Sequence, residues 1–336
     1  MATTSGTDND DILVGTNGVD TINGGAGNDT ITGGLGFDTL NGGAGNDIFI
    51  ITEEEMFEGS SALYSVDGIE VSNYYKSILT VDSINGGSGT DTLRIPFDGG
   101  TNEKAVYFSE SSLSGIEQVE FTEDPVFLNF YVAASAWQSV ASWDLQGNTD
   151  SAFLKSLSIL GDGESVTLDN LGSSVEIIDG YGGILFEGEF DTIDLSSYVA
   201  TADELFVNEV NTFIGSASAD NLETSDPDFD FIGGAGNDKV TIDFSSFNST
   251  GWYPYTFMWN GDYVPVLELE GSFNGGTGND YLSFSETVDK VVDLTKASFT
   301  NFAGIQGTAP VIVTQAQFDS LSFQNINNVF IKSDGI

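Results

Sequence analysis

The 336-residue chain contains 52 acidic and 8 basic side chains, which give it a formal net charge of −44. This balance argues against binding to nucleic acid or to anionic membrane surfaces, because both depend on basic patches. Since the sequence has no cysteine and no histidine, disulfides, thiolate metal sites, a Ser-His-Asp triad and a histidine zinc site are excluded. Divalent cations are the natural counter-charge, and a solvated, salt-adapted surface is the alternative explanation.

The segment Met1–Gly6 has neither a basic n-region nor an apolar h-region, so we expect no cleavable signal peptide. No apolar stretch approaches the roughly 20 residues that are needed to cross a bilayer. The sequence therefore predicts no membrane span.

A nonapeptide repeat fills the first 50 residues. Its marker is an aspartate at every ninth position: Asp11, Asp20, Asp29, Asp38 and Asp47. An apolar residue follows two positions after each aspartate, and glycines fill the gaps, as in Gly24–Thr32, which reads GGAGNDTIT. The first units are looser, since Gly15–Asp20 lacks the second glycine.

This spacing has a physical meaning. Glycines adopt left-handed backbone angles, so six residues can form a tight turn with inward-facing carbonyls. Oxygen ligands of this kind, with the aspartate carboxylate, suit Ca²⁺. The next three residues form a short strand, and neighbouring units must stack to bury its middle residue. Besides the aspartates, the candidate ligands are Gly25, Gly27, Gly34, Gly36, Gly43 and Gly45.

Residues 6–50 resemble the GGxGxDxUx repeat of the RTX, or haemolysin-type, calcium-binding family. The resemblance implies a right-handed parallel β-roll with two nonapeptides in each turn and Ca²⁺ between turns. It also implies folding coupled to calcium, and export by type I secretion with an uncleaved C-terminal signal. The carboxylates that would share an ion are 18 residues apart, in the pairs Asp11–Asp29, Asp20–Asp38 and Asp29–Asp47.

Further copies of the repeat are scattered along the chain at Gly86–Asp91, Gly233–Asp238 and Gly275–Asp280, and Gly215–Asp220 is a degraded copy. An empty Gly-Asp turn without an ion is the alternative interpretation of each. The candidate ligands here are Asp82, Asp91, Asp238 and Asp280, with Gly87, Gly89, Gly234, Gly236, Gly276 and Gly278.

The glycine-poor stretch 104–212 contains short β-rich runs, such as Ile116–Phe121, between turn residues. These runs predict parallel β-helix rungs, with a two-sheet sandwich as the alternative. The expected fold class is all-β, a parallel β-roll or β-helix solenoid with inserted loops or hairpins. The predicted division is an N-terminal β-roll (1–51), an insertion (52–80), a β-helix-like or sandwich-like domain with isolated repeat turns (81–243), an aromatic insertion (244–271), and a last repeat turn with a C-terminal cap and candidate secretion signal (272–336).

The aromatic insertion contains a run of Trp, Tyr and Phe in which Pro254 and Asn260-Gly261 predict a projecting hairpin. Such a run forms either local core or an exposed patch that docks a neighbouring subunit or stacks on sugars. The candidate interface or ligand residues are Trp252, Tyr253, Tyr255, Trp259 and Tyr263.

No constellation of side chains marks an active site, so we expect no catalytic residues and no enzyme activity. The sequence predicts a secreted calcium-binding structural protein that self-assembles outside the cell as a surface layer, matrix filament or sheath. Its composition resembles that of surface-layer and matrix members of the RTX family, and its expected partner is its own chain, in a homo-oligomer or polymer. The alternatives are a calcium-dependent adhesin that binds cell-surface glycans, and a carboxylate-based glycan-processing enzyme.

Overall fold

The structure is a computed structural model. It describes residues 1–51, 65–66, 69–70, 76–79, 82–95, 104–108, 113–121, 126–140, 142–144, 153–168, 176–177, 184–198, 205–243, 255–259, 262–284 and 290–332. The chain divides into two compact units, Met1–Leu160 with Asn170–Ile184 and Gly161–Asp169 with Leu185–Ile336.

Short strands make up most of what is described of the first unit. They are β1 (Ala2–Ser5), β2 (Ile12–Val14), β3 (Asp20–Ala26), β4 (Thr30–Thr32), β5 (Thr39–Ala44), β6 (Ile48–Ile50), β7 (Ser65–Val66), β8 (Ile69–Glu70), β9 (Lys76–Leu79), β10 (Ser83–Ser88), β11 (Thr92–Ile95), β12 (Lys104–Phe108), β13 (Leu113–Ser114), β14 (Gln118–Phe121), β15 (Val126–Ala133), β16 (Ser142–Asp144), β17 (Phe153–Thr167, shared with the second unit) and β18 (Glu176–Ile177). One helix, α1, spans Ala134–Ser139.

The nonapeptide repeat produces two parallel sheets in the first unit. Successive repeats contribute strands alternately to the sheets β1-β3-β5-β10-β13 and β2-β4-β6-β11-β14-β16. Thr21 pairs with Thr39, and the matching amide-to-carboxylate contacts span 18 residues, which is two repeats. The chain then returns in register after a longer excursion, because Thr39 pairs with Ser83 and the matching contacts span 44 residues.

The core of these turns is narrow. Each repeat strand turns inwards the apolar residue two positions after its aspartate, as the repeat predicts. The buried residues of these strands are Ile22, Leu40 and Ile84 from the first sheet, and Ile31, Phe49, Leu93 and Ile95 from the second.

Beyond the repeats, the first unit continues with parallel pairing, apart from the short antiparallel pair β7–β8. Strand β9 pairs with β12, β12 with β15, and β15 with β17, all in parallel. Trp137 of α1 is fully buried. Parallel pairing of short strands is the arrangement of a β-helix, whereas the alternative sandwich consists of antiparallel sheets.

The second unit has the same construction. Its strands are β19 (Ile184–Asp194, almost wholly in this unit), β20 (Leu205–Ile214), β21 (Asn221–Thr224), β22 (Asp230–Ile232), β23 (Lys239–Ile242), β24 (Tyr255–Trp259), β25 (Asp262–Glu268), β26 (Ser272–Asn274), β27 (Tyr281–Phe284), β28 (Val291–Asp293), β29 (Ser298–Thr300), β30 (Gly304–Gln306), β31 (Val311–Val313), β32 (Ser322–Gln324) and β33 (Val329–Ile331). A helix, α2, spans Gln315–Ser320 and begins at a capping box formed by Thr314 and Gln317.

Three strand series form the walls of the second unit. Their orders are β19-β20-β21-β23-β27-β30-β32, β20-β22-β26-β29 and β24-β25-β28-β31-β33. The pairing is parallel except at β24–β25, an antiparallel hairpin that falls in the aromatic insertion, as predicted. Each unit is therefore a parallel β-solenoid, and the expected all-β fold with inserted hairpins is confirmed. None of the helices in the described residues is long and apolar enough to cross a membrane.

Candidate metal centre

Two columns of aspartates run along the first unit, one on each side of its stacked turns. The first column follows the loops that lead from one sheet to the other at Asp11, Asp29, Asp47 and Asp91. The second follows the return loops at Asp20, Asp38 and Asp82. All of these except Asp11 are buried.

A repeated hydrogen bond builds each column. The backbone N–H of Asp29 donates to Oδ1 of Asp47 at 2.8 Å, and the N–H of Asp47 donates to Oδ1 of Asp91 at 2.8 Å. The same bond joins Asp11 to Asp29 at 2.9 Å. In the second column it joins Asp20 to Asp38 and Asp38 to Asp82. Each bond fixes one carboxylate oxygen and aims the other into the turn.

The second oxygen of the inner carboxylates has no hydrogen-bond partner. This holds for Oδ2 of Asp29, Asp38, Asp47 and Asp91, all of which are buried. A buried carboxylate oxygen without compensation is costly, so such groups are paired or coordinate a metal. The orphaned oxygens therefore indicate where a cation would bind.

Backbone carbonyls supply the remaining oxygens. A Cβ atom placed on Gly42 would collide with Oδ2 of Asp47 and would lie 2.5 Å from the carbonyl oxygen of Gly86 in the next turn. The carboxylate of one turn and the carbonyl of the following turn thus converge at a place that only glycine leaves open. A donor set of oxygens alone fits Ca²⁺.

The turn glycines have the backbone angles that the sequence predicts. Gly45, for example, has φ 134°, and a Cβ atom there would collide with the carbonyl oxygen of Gly27. Positive φ occurs at every predicted ligand glycine, namely Gly25, Gly27, Gly34, Gly36, Gly43, Gly45, Gly87, Gly89, Gly234, Gly236, Gly276 and Gly278.

Burial changes the acidity of the column carboxylates. It raises the pKa of Asp38, Asp47 and Asp91 above the ordinary value, against the opposing effect of the backbone hydrogen bond that each accepts. In a metal-free fold these groups bind protons more readily than free aspartate does, and a cation would take the place of those protons.

A third column lies in the second unit. The N–H of Asp220 donates to Oδ1 of Asp238 at 3.0 Å, and the N–H of Asp238 donates to Oδ1 of Asp280 at 2.8 Å. Oδ2 of Asp238 and of Asp280 is buried without a partner. A Cβ atom on Gly233 would lie 2.6 Å from the Gly275 carbonyl oxygen, so the oxygen cluster of the first unit is reproduced. The degraded copy at Asp220 therefore takes part in a column.

The first loop of each column is different, because a threonine or serine donates both its N–H and its hydroxyl to the carboxylate of that loop. Oδ2 of Asp11 accepts hydrogen bonds from the N–H and hydroxyl of Thr7, and Oδ2 of Asp20 accepts the same pair from Thr16. In the second unit, Ser216 donates its N–H to Oδ2 and its hydroxyl to Oδ1 of Asp220. The signal was present in the sequence, since these residues replace the second glycine of the motif.

The carboxylate pairs predicted 18 residues apart lie in adjacent turns. Each column also includes one further aspartate, Asp82 or Asp91, which is 44 residues from its partner. In the described residues, no three acidic side chains converge to form a metal-binding group. A cation would therefore be held by pairs of carboxylates together with backbone carbonyls.

The aromatic candidates are only partly described. Trp252 and Tyr253 lie outside the described residues, and Tyr255 and Trp259 begin and end β24. Tyr263 on β25 is 69% exposed. Its side chain therefore belongs to the surface of the hairpin and not to local core.

Parallel strands joined by glycine turns, with oxygen ligands stacked between the turns, define a calcium-binding β-roll. The family model of the RTX calcium-binding nonapeptide repeat matches in four copies, over residues 5–40, 27–50 and 81–94. The chain therefore carries RTX repeats and binds calcium. A search of curated proteins gave no match, and a search of solved structures gave none.

Proposed function

We propose that the protein is a secreted structural protein that folds on binding calcium outside the cell and then assembles with copies of itself. The observation that supports assembly is the first turn of the first unit. There, no strand of the described residues covers the outer edges of β1 and β2.

Calcium supplies the folding step. Without a cation, the columns stack buried carboxylates above one another, and the narrow core buries too little to offset them. Extracellular calcium modules bind with dissociation constants of about 10⁻⁴ to 10⁻³ M, well above cytoplasmic calcium. The first unit would then remain unfolded during export and fold after it.

The exposed first turn provides the assembly surface. Ile12 and Val14 on β2 are 82% and 65% exposed, and Leu13 is only partly buried, although its counterpart Ile31 in the next turn is fully buried. An uncovered strand edge pairs readily with another chain. A turn from a second copy would extend both sheets and cover Leu13, and calcium would reduce the repulsion between two chains that each carry a net charge of −44.

Light scattering after size-exclusion chromatography tests the proposal, in calcium-free buffer and again with millimolar Ca²⁺. We expect calcium to convert an expanded chain into compact protein and then into large assemblies. The double substitution Ile12→Lys and Val14→Lys should keep the compaction and lose the assemblies, because lysines on an edge strand block pairing. Phe37→Lys, at an exposed apolar residue in a glycine loop, is the matched control. A compact monomer at high calcium would contradict assembly and leave calcium-driven folding intact.

Export by type I secretion is the second part of the proposal, since RTX repeat proteins typically use that route. The segment from Val311 to the C-terminus would carry the signal. Fused to a reporter, it should direct export in a cell that has a type I exporter and fail to do so without the exporter.

A carbohydrate-binding protein is the second candidate, and the exposed Tyr263 on the β24–β25 hairpin favours it. Glycan-array binding by the calcium-loaded protein, compared with Tyr263→Ala, tests it. Binding that disappears in the variant, without self-assembly of either protein, would replace the structural proposal with this one.

A further inference from the structure

We propose that the first column ends in an additional calcium site between Asp91 and Glu117, closed by a turn outside the nonapeptide repeats. That turn connects β13 to β14. Ile84 pairs with Leu113 and Thr92 with Gln118, so Glu117 occupies the position before β14 that Asp91 occupies before β11.

Glu117 makes the contact that defines the column. The backbone N–H of Asp91 donates to Oε2 of Glu117 at 2.7 Å, as each aspartate above it donates to the next carboxylate. The N–H of Glu117 donates in turn to the carbonyl oxygen of Asp91 at 3.1 Å. The column thus gains a fifth carboxylate that the repeat motif does not contain.

The oxygen cluster of the inner turns is also present. A Cβ atom on Gly86 would collide with the carbonyl oxygen of Gly115 and would lie 2.6 Å from Oδ2 of Asp91. The equivalent point at Gly42 is filled by Oδ2 of Asp47 and the carbonyl oxygen of Gly86. Oδ2 of Asp91 is buried without a partner, and Asp91 is 0% exposed. The Gly115 turn therefore presents the same oxygens to an orphaned carboxylate.

The closing turn differs from a repeat loop in length. The closing loop Gly115–Glu117 stands where a repeat has a loop such as Gly86–Asp91. Because it is shorter, it lacks the residues in the middle of a repeat loop and their backbone carbonyls. Because the glutamate side chain is longer than that of aspartate, it still reaches the N–H of Asp91 from this shorter loop. Glu117 remains partly exposed. Water would complete the coordination on the outer side, and we expect this site to bind calcium more weakly than the inner ones.

The third column ends without such a residue. Asn301 places its carbonyl oxygen 2.7 Å from the Cβ position of Gly275. The N–H of Ala303 donates to the carbonyl oxygen of Asp280, as Glu117 does to Asp91. Alanine provides no carboxylate there. A terminal turn can thus be built without an acidic side chain, so turn geometry alone does not explain Glu117.

The test is the number of calcium ions bound at saturation, measured by native mass spectrometry and equilibrium dialysis on the full chain. Glu117→Gln keeps a hydrogen-bond acceptor for Asp91 but removes the charge, and we expect one ion fewer. Glu117→Asp should keep the full number of ions, with the last one bound more weakly. Glu120→Gln, on the neighbouring strand β14 where Glu120 pairs with Arg94, removes the same charge and should bind as many ions as wild type.

The inference extends the calcium binding of the columns and does not depend on self-assembly, so a monomeric protein tests it equally well. A Glu117→Gln protein with the wild-type number of ions and wild-type affinities would overturn it. Loss of the ion in both Glu117→Gln and Glu117→Asp would also overturn it, because Glu117 would then act through packing and not as a carboxylate ligand.

Discussion

The two units stack their turns in the same way but differ in what holds the turns together. In the first unit, two columns hold seven aspartates between Asp11 and Asp91, and most repeat strands add a single apolar side chain to the core. Among the described residues of the second unit, one column runs from Asp220 to Asp280, and the turns enclose a cluster of phenylalanines. The comparison teaches that one backbone geometry accommodates two kinds of interior, columns of carboxylates that suit calcium and a core of aromatic rings.

The phenylalanine cluster runs along the turns of the second unit. Phe231 stacks on Phe213 with ring centroids 5.9 Å apart and meets Phe302 edge-on at 6.1 Å. Phe273 stacks on Phe299 at 5.4 Å. Such pairs contribute about 0.5–1.5 kcal/mol each beyond the area that they bury. We therefore expect the second unit to depend less on calcium than the first.

Removal of calcium should have the largest effect on stability, and it should affect the two units differently. In excess EDTA, we expect the amides of β3 to β6 to lose protection from hydrogen exchange, while those of β22, β26 and β29 keep part of theirs. The reason is that, without calcium, nothing neutralises the carboxylate charges of the two columns in the first unit. Exchange measured by mass spectrometry, with and without EDTA, checks this. Equal loss in both units would contradict the comparison.

Phe231→Ala should damage the second unit even in saturating calcium. Truncation of a fully packed phenylalanine costs about 3–5 kcal/mol, and Phe231 is buried between two other rings. Urea denaturation followed by hydrogen exchange of β20 and β22 measures the loss. Phe37→Ala is the control, because Phe37 is 64% exposed in a loop of the first unit. An equal effect of the two substitutions would show that the cluster adds little.

The stability of the metal-free protein should fall as the pH rises, whereas its affinity for calcium should rise. Burial raises the pKa of Asp238 from 3.8 to about 7. The folded state therefore binds more protons than the unfolded chain between about pH 4 and pH 7, and its stability is lost as the pH rises through that range. Calcium needs the ionised carboxylate, so its affinity should rise over the same range.

Urea denaturation in EDTA at pH 5 and pH 8, together with calcium titrations at both values, checks this prediction. We expect the metal-free second unit to resist urea better at pH 5 and to bind calcium better at pH 8. Asp238→Asn should reduce the difference in urea resistance of the metal-free protein between pH 5 and pH 8. Greater metal-free stability at pH 8 would contradict a raised pKa of Asp238 in the folded protein.

Thr16→Ala should have the smallest effect. The Thr16 hydroxyl donates to Oδ2 of Asp20 at 2.7 Å and lowers the pKa of that carboxyl, whereas burial raises the pKa of Asp38, Asp47 and Asp91. We expect only a small loss of stability, because the substitution removes one solvent-accessible hydrogen bond. Thr39→Ala, at an exposed threonine of β5, is the control. A loss of calcium ions in Thr16→Ala would show that this hydroxyl supports a metal site and does not replace one.

The repeat made much of the fold predictable, because nine-residue spacing fixes both the turn and the direction of the strand that follows. Asp82 and Asp91 were predicted as ligands, but their partners Asp38 and Asp47 depend on where the chain returns after residue 51, which local spacing does not encode. Glu117 has no glycine motif around it. Its position next to Asp91 is visible only from the pairing of β11 with β14 in the structure.

Some missed features did leave a signal in the sequence. The pattern Thr314–Gln317 is a capping box, which predicts the start of α2 within a segment that otherwise alternates like a strand. Thr7, Thr16 and Ser216 stand where the motif has its second glycine, and this substitution marks the first turn of a column. The phenylalanine cluster could not be predicted, since its members come from strands that are far apart in the sequence.

The excursion after residue 51 has a consequence for the evolution and engineering of the protein. The same amide-to-carboxylate contact joins residues 18 apart in the early turns, 44 apart at Asp47 and Asp91, and 42 apart at Asp238 and Asp280. Each turn thus recognises its neighbour by local contacts, whatever the length of chain between them. We therefore expect the long connections to accept foreign sequence, provided that the strands they contribute to the sheets, β9 and β25, are left intact.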